Sequence, residues 1–298
     1  MTAAPVEVPM AAFAAAVRAA VDEDLAAGDP TSRLLEAATR AVLAARRPGV
    51  VAGLPAVQLT LSEVARRLGL EEASFRPELH DGAAVAAGGV LGRLSGPARV
   101  VLAAERSLLN LVGHLSGVAT LTARFVAAVE GTGAVVRDSR KTLPGLRQLE
   151  KYAVRRGGGR NHRMSLGDAL LVKDNHIRAA GGLAAAVAAA RGGGPELDLE
   201  VEVETLEEVA EALALGCDLL LLDNMDLETT HRAVAMASGR ARTEASGGIT
   251  LAGVRAVAGT GVDFIAVGAL THSAPALDVG LDWQGSGLGS PLRRDEEG

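Results

Sequence analysis

Residues 197–224, LDLEVEVETLEEVAEALALGCDLLLLDN, decide the fold of this chain. The stretch begins with an apolar run at 197–203, continues through a segment rich in Ala, Leu and Glu, and ends in a second apolar run at 219–222. Short apolar runs that stop at polar residues are typical of buried parallel strands, and the segment between these two has the length of a helix. The stretch therefore predicts a strand–helix–strand unit.

The same pattern, a short apolar run that ends at a polar residue or glycine, recurs on both sides of this unit. Further apolar runs at 134–137, 169–172, 241–245 and 264–267 end next to Asp138, Lys173, Ser246 and Gly268. The polar or glycine positions 202, 223, 246 and 268 lie 21 to 23 residues apart, close to the length of one βα repeat. Six such units predict a parallel β/α barrel or a doubly wound sheet. In a barrel, the chemistry lies at the carboxyl ends of the strands.

The chain before residue 130 has a different pattern. Phe13, Val17, Val21 and Leu25 recur at four-residue spacing and predict an amphipathic helix over 10–27. Residues 34–57 fit either a helix or a strand. Residues 60–70 predict a short helix capped by Thr60, and the turn-rich residues 79–104 predict small antiparallel strands. Residues 105–130 predict a helix interrupted at two glycines, Gly113 and Gly117.

Composition excludes several classes of protein. The formal net charge is −6 and the pI is about 5.6, which argues against a nucleic-acid-binding protein. The single cysteine, Cys217, excludes an internal disulfide and a cysteine-based zinc site. No charge-free apolar run reaches 18 residues, and no basic start precedes the apolar N-terminal segment. We therefore expect a cytoplasmic protein without a membrane span.

A basic cluster interrupts this acidic chain. Residues 137–163 contain nine Lys or Arg and only two acidic residues. Lys151, Arg155, Arg156 and Arg160 are assigned to a solvated helix face or loop, the usual explanation of a charge run. The remaining cations follow predicted strand ends, where they could bind carboxylates and phosphates: they are Arg140, Lys141, His162, Arg163 and, further on, Lys173.

Two carboxylates and two glycine turns complete the predicted site. Glu202 and Asp223 stand at the ends of two other strands, and carboxylates can hold Mg²⁺ or stabilise a sugar cation. The turns Ser246-Gly247-Gly248 and Val267-Gly268-Ala269 could bind phosphate through their backbone N–H groups. These groups predict a pocket for a substrate that carries both carboxylates and phosphates.

Structural explanations stand beside these assignments. Lys173 could pair with Asp174, and Asp223 could cap the following helix, which is the commoner use of Asp at such positions. His162 could be a structural histidine. His114 and His272 are interpreted as structural or interfacial, because no partner at metal-ligand spacing accompanies them.

Eight motifs occur together in an order typical of one family, and the family they resemble is quinolinate phosphoribosyltransferase. They are DLAAGDPTS, AERSLLNLVGHLSG, DSRKTLPGLRQLEKYAV, GGGRNHRMSLGDALLVKDNHI, VEVETLEE, LLLLDN, EASGGI and TGVDFIAVGALTHSAPALD. The resemblance covers about residues 10–283. Two departures are visible: Ser139 stands where the family has Thr, and Ser165 where it commonly has Gly. Neither removes a charged group.

The resemblance implies a fold, a reaction and an assembly. The fold is an N-terminal α/β sandwich domain, residues 1–118 with 276–298 packing back on it, and an incomplete, open β/α barrel over 119–275. Residues 286–298 are expected to form a disordered tail. The reaction joins quinolinate to 5-phosphoribosyl 1-pyrophosphate with Mg²⁺ and no organic cofactor, giving nicotinate mononucleotide, pyrophosphate and CO₂ in NAD synthesis. The assembly is a homodimer or a higher homo-oligomer.

The resemblance also assigns roles to single residues. Arg106 matches an arginine that a neighbouring chain donates to the quinolinate carboxylates. Lys141, Glu202 and Asp223 match catalytic groups, the two acids lying near the ribose and the metal. The remaining matches are substrate-binding positions: Ser139, Arg140, His162, Arg163, Lys173, Ser246, Gly247, Gly248, Val267, Gly268 and Ala269.

Three alternatives remain open from the sequence. A related transferase of the kind associated with molybdenum-transport operons would use another acceptor. A Schiff-base lyase on a barrel would use the Lys173 amine as its nucleophile. A regulatory module would bind phosphoribosyl pyrophosphate without releasing pyrophosphate.

Overall fold

The structure, a computed structural model, describes residues 9–32, 37–192 and 197–284. The expected tail at 286–298 lies outside them. Up to residue 128 the elements are α1 (Met10–Leu25), β1 (Ala38–Ala45), β2 (Gly49–Val50), α2 (Pro55–Leu68), β3 (Ser74–Pro77), β4 (Ala84–Val85), β5 (Val90–Pro97) and α3 (Ala98–Ala128). The later elements are β6 (Val135–Arg137), α4 (Arg147–Arg156), β7 (Leu170–Val172), α5 (Asp174–Ala180), α6 (Leu183–Gly192), β8 (Leu199–Val203), α7 (Leu206–Ala214), β9 (Leu219–Asp223), α8 (Leu227–Ala237), β10 (Arg242–Ser246), α9 (Val254–Ala258), β11 (Phe264–Ala266), α10 (Ala269–His272) and β12 (Val279–Gln284).

The chain divides into two compact units. One consists of His114–Ala276, and the other of Met10–Gly113 together with the chain from Leu277 onward. The second unit contains a four-stranded antiparallel sheet in the order β12-β1-β5-β3, and a small pair of strands, β2 and β4. The helices α1 and α2 pack against each other in this unit. The mixed N-terminal α/β fold expected from the resemblance is confirmed.

Helix α1 follows the predicted pattern, since Phe13, Val17 and Val21 are its buried residues. Helix α2 does not begin where the sequence analysis placed it. It starts at Pro55, a residue whose fixed φ suits the first helical turn, and not at a Thr60 cap. Thr60 lies inside α2, fully buried, and its hydroxyl donates to the Ala56 carbonyl at 2.7 Å. A Thr hydroxyl bonded four residues back resembles a cap in sequence but stands in the helix interior.

Helix α3 corrects two further predictions. It begins at Ala98, where a strand was expected, and it continues through Gly113 and Gly117 without interruption. Gly117 is required for packing: a Cβ on it would lie 2.2 Å from the carbonyl oxygen of Pro275. By length and composition α3 could cross a membrane, but 56% of its apolar window is buried in the protein. Buried core helices of water-soluble proteins pass the same test, so this helix is weak evidence for a membrane span.

The unit formed by His114–Ala276 contains six parallel strands in the order β6-β11-β10-β9-β8-β7. Each of the six predicted strands is present within two residues of its expected bounds. Among these six strands, the first in sequence, β6, pairs with the last, β11, and within the described residues the order ends at β7 without a bond from β7 to β6. The alternation of strands and helices together with this order gives an open β/α barrel. The doubly wound alternative is wrong.

Candidate active site

A cavity of about 660 Å³ lies among the carboxyl ends of the parallel strands. Its walls include 13 of the 15 residues at which the sequence predicted the site, as well as apolar side chains. The lining residues are Ser139, Arg140, Lys141, His162, Arg163, Leu171, Lys173, Glu202, Leu221, Asp223, Ser246, Gly247, Gly248, Ile249, Ala266, Gly268, Ala269 and His272. These residues come from seven separate segments. Six of them end or follow the parallel strands, which all end at one edge of the barrel, and the seventh is the pair His162 and Arg163 after α4.

Two of the predicted positions do not line this cavity. Val267 is buried, at 1% exposure, and its backbone N–H donates to the Arg137 carbonyl at 2.9 Å. Arg106 is exposed on α3, in the other compact unit. The geometry of the single chain therefore assigns neither side chain to the cavity wall.

The cavity has an excess of cations. Arg140, Lys141, Arg163 and Lys173 line it against two carboxylates. Within the described residues, the Nε atoms of Arg140 and Arg163 are buried and have no hydrogen-bond partner. Burial and the nearby charge of Arg140 lower the pKa of Arg163. Two half-buried arginines that are close enough for the charge of one to lower the pKa of the other favour the binding of an anion.

The two carboxylates stand on neighbouring strands. Glu202 on β8 pairs in register with Leu221 on β9, and Asp223 lies two residues beyond Leu221, hence on the same face. Glu202 accepts a hydrogen bond from the Lys173 ammonium, and Asp223 accepts one from the Asn224 amide at 2.6 Å. Each acid has a second oxygen, and carboxylate oxygens are the ligands that Mg²⁺ prefers, so this donor set fits a magnesium ion.

Lys173 and Asp223 do not have the structural roles considered as alternatives. Lys173 forms its ion pair with Glu202, whereas Asp174 pairs with Arg178 at 3.4 Å. The cap of α8 is Asp226, whose carboxylate accepts the Thr229 N–H at 2.7 Å, so Asp223 is not a helix cap.

The turn after β10 depends on glycine. Gly247 and Gly248 have φ values of 94° and 59°, in the left-handed region. A Cβ on Gly247 would lie 2.0 Å from the Asn224 side-chain oxygen. The backbone of Asn224 contacts this turn, because the Asn224 N–H donates to the Ser246 carbonyl at 3.0 Å. Helix α9 begins only at Val254, so any phosphate at this turn would be bound by the backbone N–H groups of the turn and not by the start of a helix.

His272 and the apolar side chains of the wall were not predicted. His272 was interpreted as structural or interfacial, yet it lines the cavity, with Nδ1 2.6 Å from the Ser273 hydroxyl. Its position directly after the 267–269 turn is the signal that could have identified it. The apolar side chains Leu171, Leu221 and Ile249 form an apolar part of the wall, of the kind that small-molecule pockets use to contact apolar parts of a ligand.

His162 contacts two buried acids that the sequence analysis did not assign to the site. Its Nε2 lies 2.8 Å from Glu200 and 3.8 Å from Glu244, and Glu244 forms an ion pair with Arg137. One oxygen of each glutamate is buried without a hydrogen-bond partner within the described residues. Burial, and then the charge of Glu200, raise the pKa of Glu244 to about 7.

The ligand atoms of His162, Glu200 and Glu244 lie within 4.8 Å of one another, a spacing that a metal ion could use. The hydrogen bonds do not suit one. The Nδ1 of His162 accepts the Arg163 N–H at 2.7 Å, so the proton of the neutral ring is on Nε2 and points at Glu200. A metal would need the lone pair of that nitrogen. This cluster is therefore better described as a hydrogen-bonded support for His162.

The assignment of Lys151 to a solvated helix face is wrong. Its side chain and that of Asp138 are both fully buried and form an ion pair at 2.5 Å. Arg155 and Arg156, on the same helix, are half-buried, and Arg160 is exposed. Lys151 lies in a part of α4 that is buried on all sides, since every residue from Leu149 to Val154 is buried.

An open β/α barrel whose strand ends place four cations, two carboxylates and glycine turns around one cavity is the architecture of an enzyme for small polyanionic substrates. Family models agree. Residues 29–116 match the N-terminal domain of quinolinate phosphoribosyl transferase, and residues 118–282 match its C-terminal domain. The chain belongs to the quinolinate phosphoribosyl transferase family.

Relatives and solved structures point the same way. A nicotinate-nucleotide pyrophosphorylase [carboxylating] of Mycobacterium leprae is 47% identical over 273 residues, which are 89% of this chain and 95% of that protein. A probable enzyme of the same name from Bacillus subtilis is 41% identical, over 87% of this chain and 89% of its own length. The solved nicotinate-nucleotide pyrophosphorylase of Francisella tularensis superposes with a TM-score of 0.88 at 39% identity, covering 93% of this chain and 98% of that one.

Proposed function

We propose that this chain is a carboxylating nicotinate-nucleotide pyrophosphorylase, a phosphoribosyltransferase of NAD biosynthesis. It transfers phosphoribosyl from 5-phosphoribosyl 1-pyrophosphate to quinolinate and yields nicotinate mononucleotide, pyrophosphate and CO₂. The family matches over both domains and the 47% identical relative of that name support the proposal. The observation that carries it at the level of chemistry is the pair of buried guanidinium Nε atoms of Arg140 and Arg163 at the cavity, for which residues 9–32, 37–192 and 197–284 supply no hydrogen-bond partner.

The substrate chemistry accounts for the mixture of groups in the cavity. Quinolinate is a flat ring with two carboxylates, which suits an apolar wall beside Arg140, Lys141 and Arg163. The phosphates of the second substrate suit Lys173 and the glycine turns. Lys173 is ion-paired with Glu202, so it serves as a charge at the site and not as the free amine that a Schiff-base lyase needs.

The reaction needs orientation and electrostatics more than a covalent nucleophile. The bond between ribose C1 and the pyrophosphate oxygen breaks, and pyrophosphate takes the electron pair. The positive charge that develops on the ribose is stabilised by the carboxylates of Glu202 and Asp223. The quinolinate nitrogen then bonds to C1 and becomes a pyridinium. That ring accepts the electron pair of the adjacent C–CO₂ bond as CO₂ leaves, and the ring carbon takes a proton from solvent.

Glu202 and Asp223 are the residues that would hold Mg²⁺, as their carboxylate oxygens suit this ion. When bound, Mg²⁺ supplies charge neutralisation for the pyrophosphate oxygens. The chain's own cations share that role, since Lys141 and Lys173 line the same cavity. No organic cofactor enters the proposed reaction.

We also propose a homodimer or higher homo-oligomer in the cytoplasm, in which Arg106 of a neighbouring chain completes each site. The exposed position of Arg106 on α3, and its absence from the wall of the chain's own cavity, support this arrangement. A guanidinium from outside would add a further cation beside the carboxylates of quinolinate.

The deciding experiment incubates the purified protein with quinolinate, 5-phosphoribosyl 1-pyrophosphate and Mg²⁺. We expect equal amounts of pyrophosphate, CO₂ and nicotinate mononucleotide. Parallel reactions with nicotinate and nicotinamide identify the acceptor. Pyrophosphate release with another acceptor but not with quinolinate would support the related transferase, and binding without release would support the regulatory module.

A further inference from the structure

The buried pair of Lys151 and Asp138 lies next to the site without lining its cavity. Lys151 stands on α4 and Asp138 directly follows β6, and both side chains are 0% exposed. A fully buried lysine is rare unless it is paired, because the desolvation of an ammonium group costs several kcal/mol. The hydrogen bonds of the pair show what it contacts.

The Lys151 ammonium uses all three of its donors. One goes to Asp138 Oδ1 at 2.5 Å, one to the His162 carbonyl at 2.9 Å and one to the Arg163 carbonyl at 3.0 Å. Two of the three therefore hold backbone oxygens of residues whose side chains line the cavity. A lysine ammonium has three donors, so no capacity remains for solvent.

Asp138 also forms hydrogen bonds with this segment, residues 161–163. Its carboxylate accepts the His162 N–H at 2.9 Å and the Asn161 amide at 2.5 Å, and the Asn161 amide also donates to the Lys151 carbonyl at 2.8 Å. The backbone of residues 161–163 is thus bonded by both members of one ion pair.

We propose that Asp138 and Lys151 are positioning residues for the transfer reaction, which together fix the backbone of His162 and Arg163 so that both side chains reach the substrate. This inference rests on the proposed function for the identity of the substrate. Neither residue touches the cavity, so both act through the segment 161–163.

Stability alone does not account for this pair. Replacing a buried ion pair with apolar residues of similar size is often neutral or stabilising, whereas removing one partner leaves an uncompensated charge. Burial raises the pKa of Asp138 and lowers the pKa of Lys151, so each charge depends on the other. An apolar pair could not make the hydrogen bonds that Lys151 and Asp138 form with the backbone of residues 161–163.

The test separates folding from positioning by comparing a single with a double variant. Lys151→Met leaves the Asp138 carboxylate buried without its cation, and we expect a large fall in the thermal midpoint. The double variant Asp138→Asn with Lys151→Met leaves no buried charge, and we expect most of that fall to be recovered. Both variants lose the donors to the His162 and Arg163 carbonyls, so we expect the KM for quinolinate to rise at least tenfold in both.

Val154→Ala is the matched control. Val154 is a fully buried residue of the same helix and loses only packing, so we expect a lower thermal midpoint and a KM within about twofold of wild type. A folded double variant with the wild-type KM and kcat would overturn the proposal and make the pair purely structural.

A milder variant keeps the test decisive if the double variant does not fold. Asn161→Ala removes the uncharged amide that ties the segment to Asp138 by a hydrogen bond, and it leaves the ion pair of Asp138 and Lys151 intact. We expect a two- to fivefold rise in the KM for quinolinate with little change in the thermal midpoint, and an unchanged KM would overturn the proposal. Wild-type turnover is measured first: its absence would count against the proposed function, while quinolinate binding by calorimetry would still report on positioning.

Discussion

The substitution Glu244→Gln tests the buried cluster that supports His162. Glu244 is fully buried on β10, close to Glu200 and paired with Arg137. Burial first, and then the neighbouring charge of Glu200, raise the pKa of Glu244 from 4.5 to about 7, while Arg137 and His162 oppose the shift. The folded protein therefore keeps a proton on this group at pH values where the unfolded chain has released it.

The sign of the effect on stability follows from this difference. The protonated form of Glu244 adds to the free energy of unfolding. This stabilisation is fully present below about pH 4.5 and is lost as the pH rises through about 7. One pKa unit corresponds to about 1.4 kcal/mol, so the free energy of unfolding should fall by about 3 kcal/mol from this group between pH 4.5 and 8. A glutamine stays neutral, and its amide can donate to the unpartnered oxygen of Glu200, as a protonated glutamic acid would.

The assay measures the free energy of unfolding of both proteins by urea denaturation at several pH values from 4.5 to 8. We expect the difference between Glu244→Gln and wild type to shift by about 3 kcal/mol in favour of the variant as the pH rises. Glu204→Gln removes the same charge from an exposed position of the same barrel and should change stability by less than about 0.5 kcal/mol. The reasoning is refuted if the difference for Glu244→Gln is the same at pH 5 and pH 8.

Three further predictions concern the cavity. Lys141→Ala or Arg163→Ala should lower turnover at least about a hundredfold, or about 2.7 kcal/mol in the barrier, and near-normal turnover in both would contradict the basic-pocket assignment. Mixing and reassembling inactive Arg106→Ala and Lys141→Ala chains should restore about a quarter of the wild-type activity, because half of the dimers then contain one intact site; no recovery would exclude a crossing arginine. Gly247→Ala should raise the KM for 5-phosphoribosyl 1-pyrophosphate, since the Asn224 side chain must move from the 2.0 Å contact, and steady-state kinetics with the wild-type KM would contradict a phosphate role for this turn.

The barrel could be predicted closely because its signals are local. Each parallel strand is a short apolar run that stops at a polar residue, and burial on both faces makes that pattern hard to produce otherwise. The strand ends then meet at one edge of the barrel by geometry alone, which is why Lys173, Glu202 and Asp223 could be placed together without any contact information. The expected strand bounds differ from the observed ones by no more than two residues.

The errors arose where long-range packing overrides local preference. Gly117 resembles a helix breaker, but the Pro275 carbonyl, 158 positions away in sequence, needs the space that a side chain would fill. Thr60 and Glu63 have the spacing of a capping box, but Pro55 already starts the helix, and Glu63 pairs with Arg66 and Arg67 on its exposed side. A capping motif marks a position at which a helix could begin. It does not show whether the helix has already begun at an earlier residue.

Lys151 shows why the charges in the sequence could not distinguish the cations at the cavity from the other cations of the basic cluster. Its neighbours Arg155 and Arg156 lie on the same helix, α4, and a helix with this many cations resembles a solvated face. The difference is a single acid, Asp138, which lies 13 positions earlier and follows another element. The same stretch therefore contains two sets of cations with opposite surroundings. Within the described residues, neither Arg140 nor Arg163 has a carboxylate partner at the cavity, whereas Lys151 is paired with Asp138 behind the segment that carries Arg163. We propose that the site uses both kinds of cation: Arg140 and Arg163 bind the anion, and the paired Lys151 holds the backbone of Arg163 without competing for it.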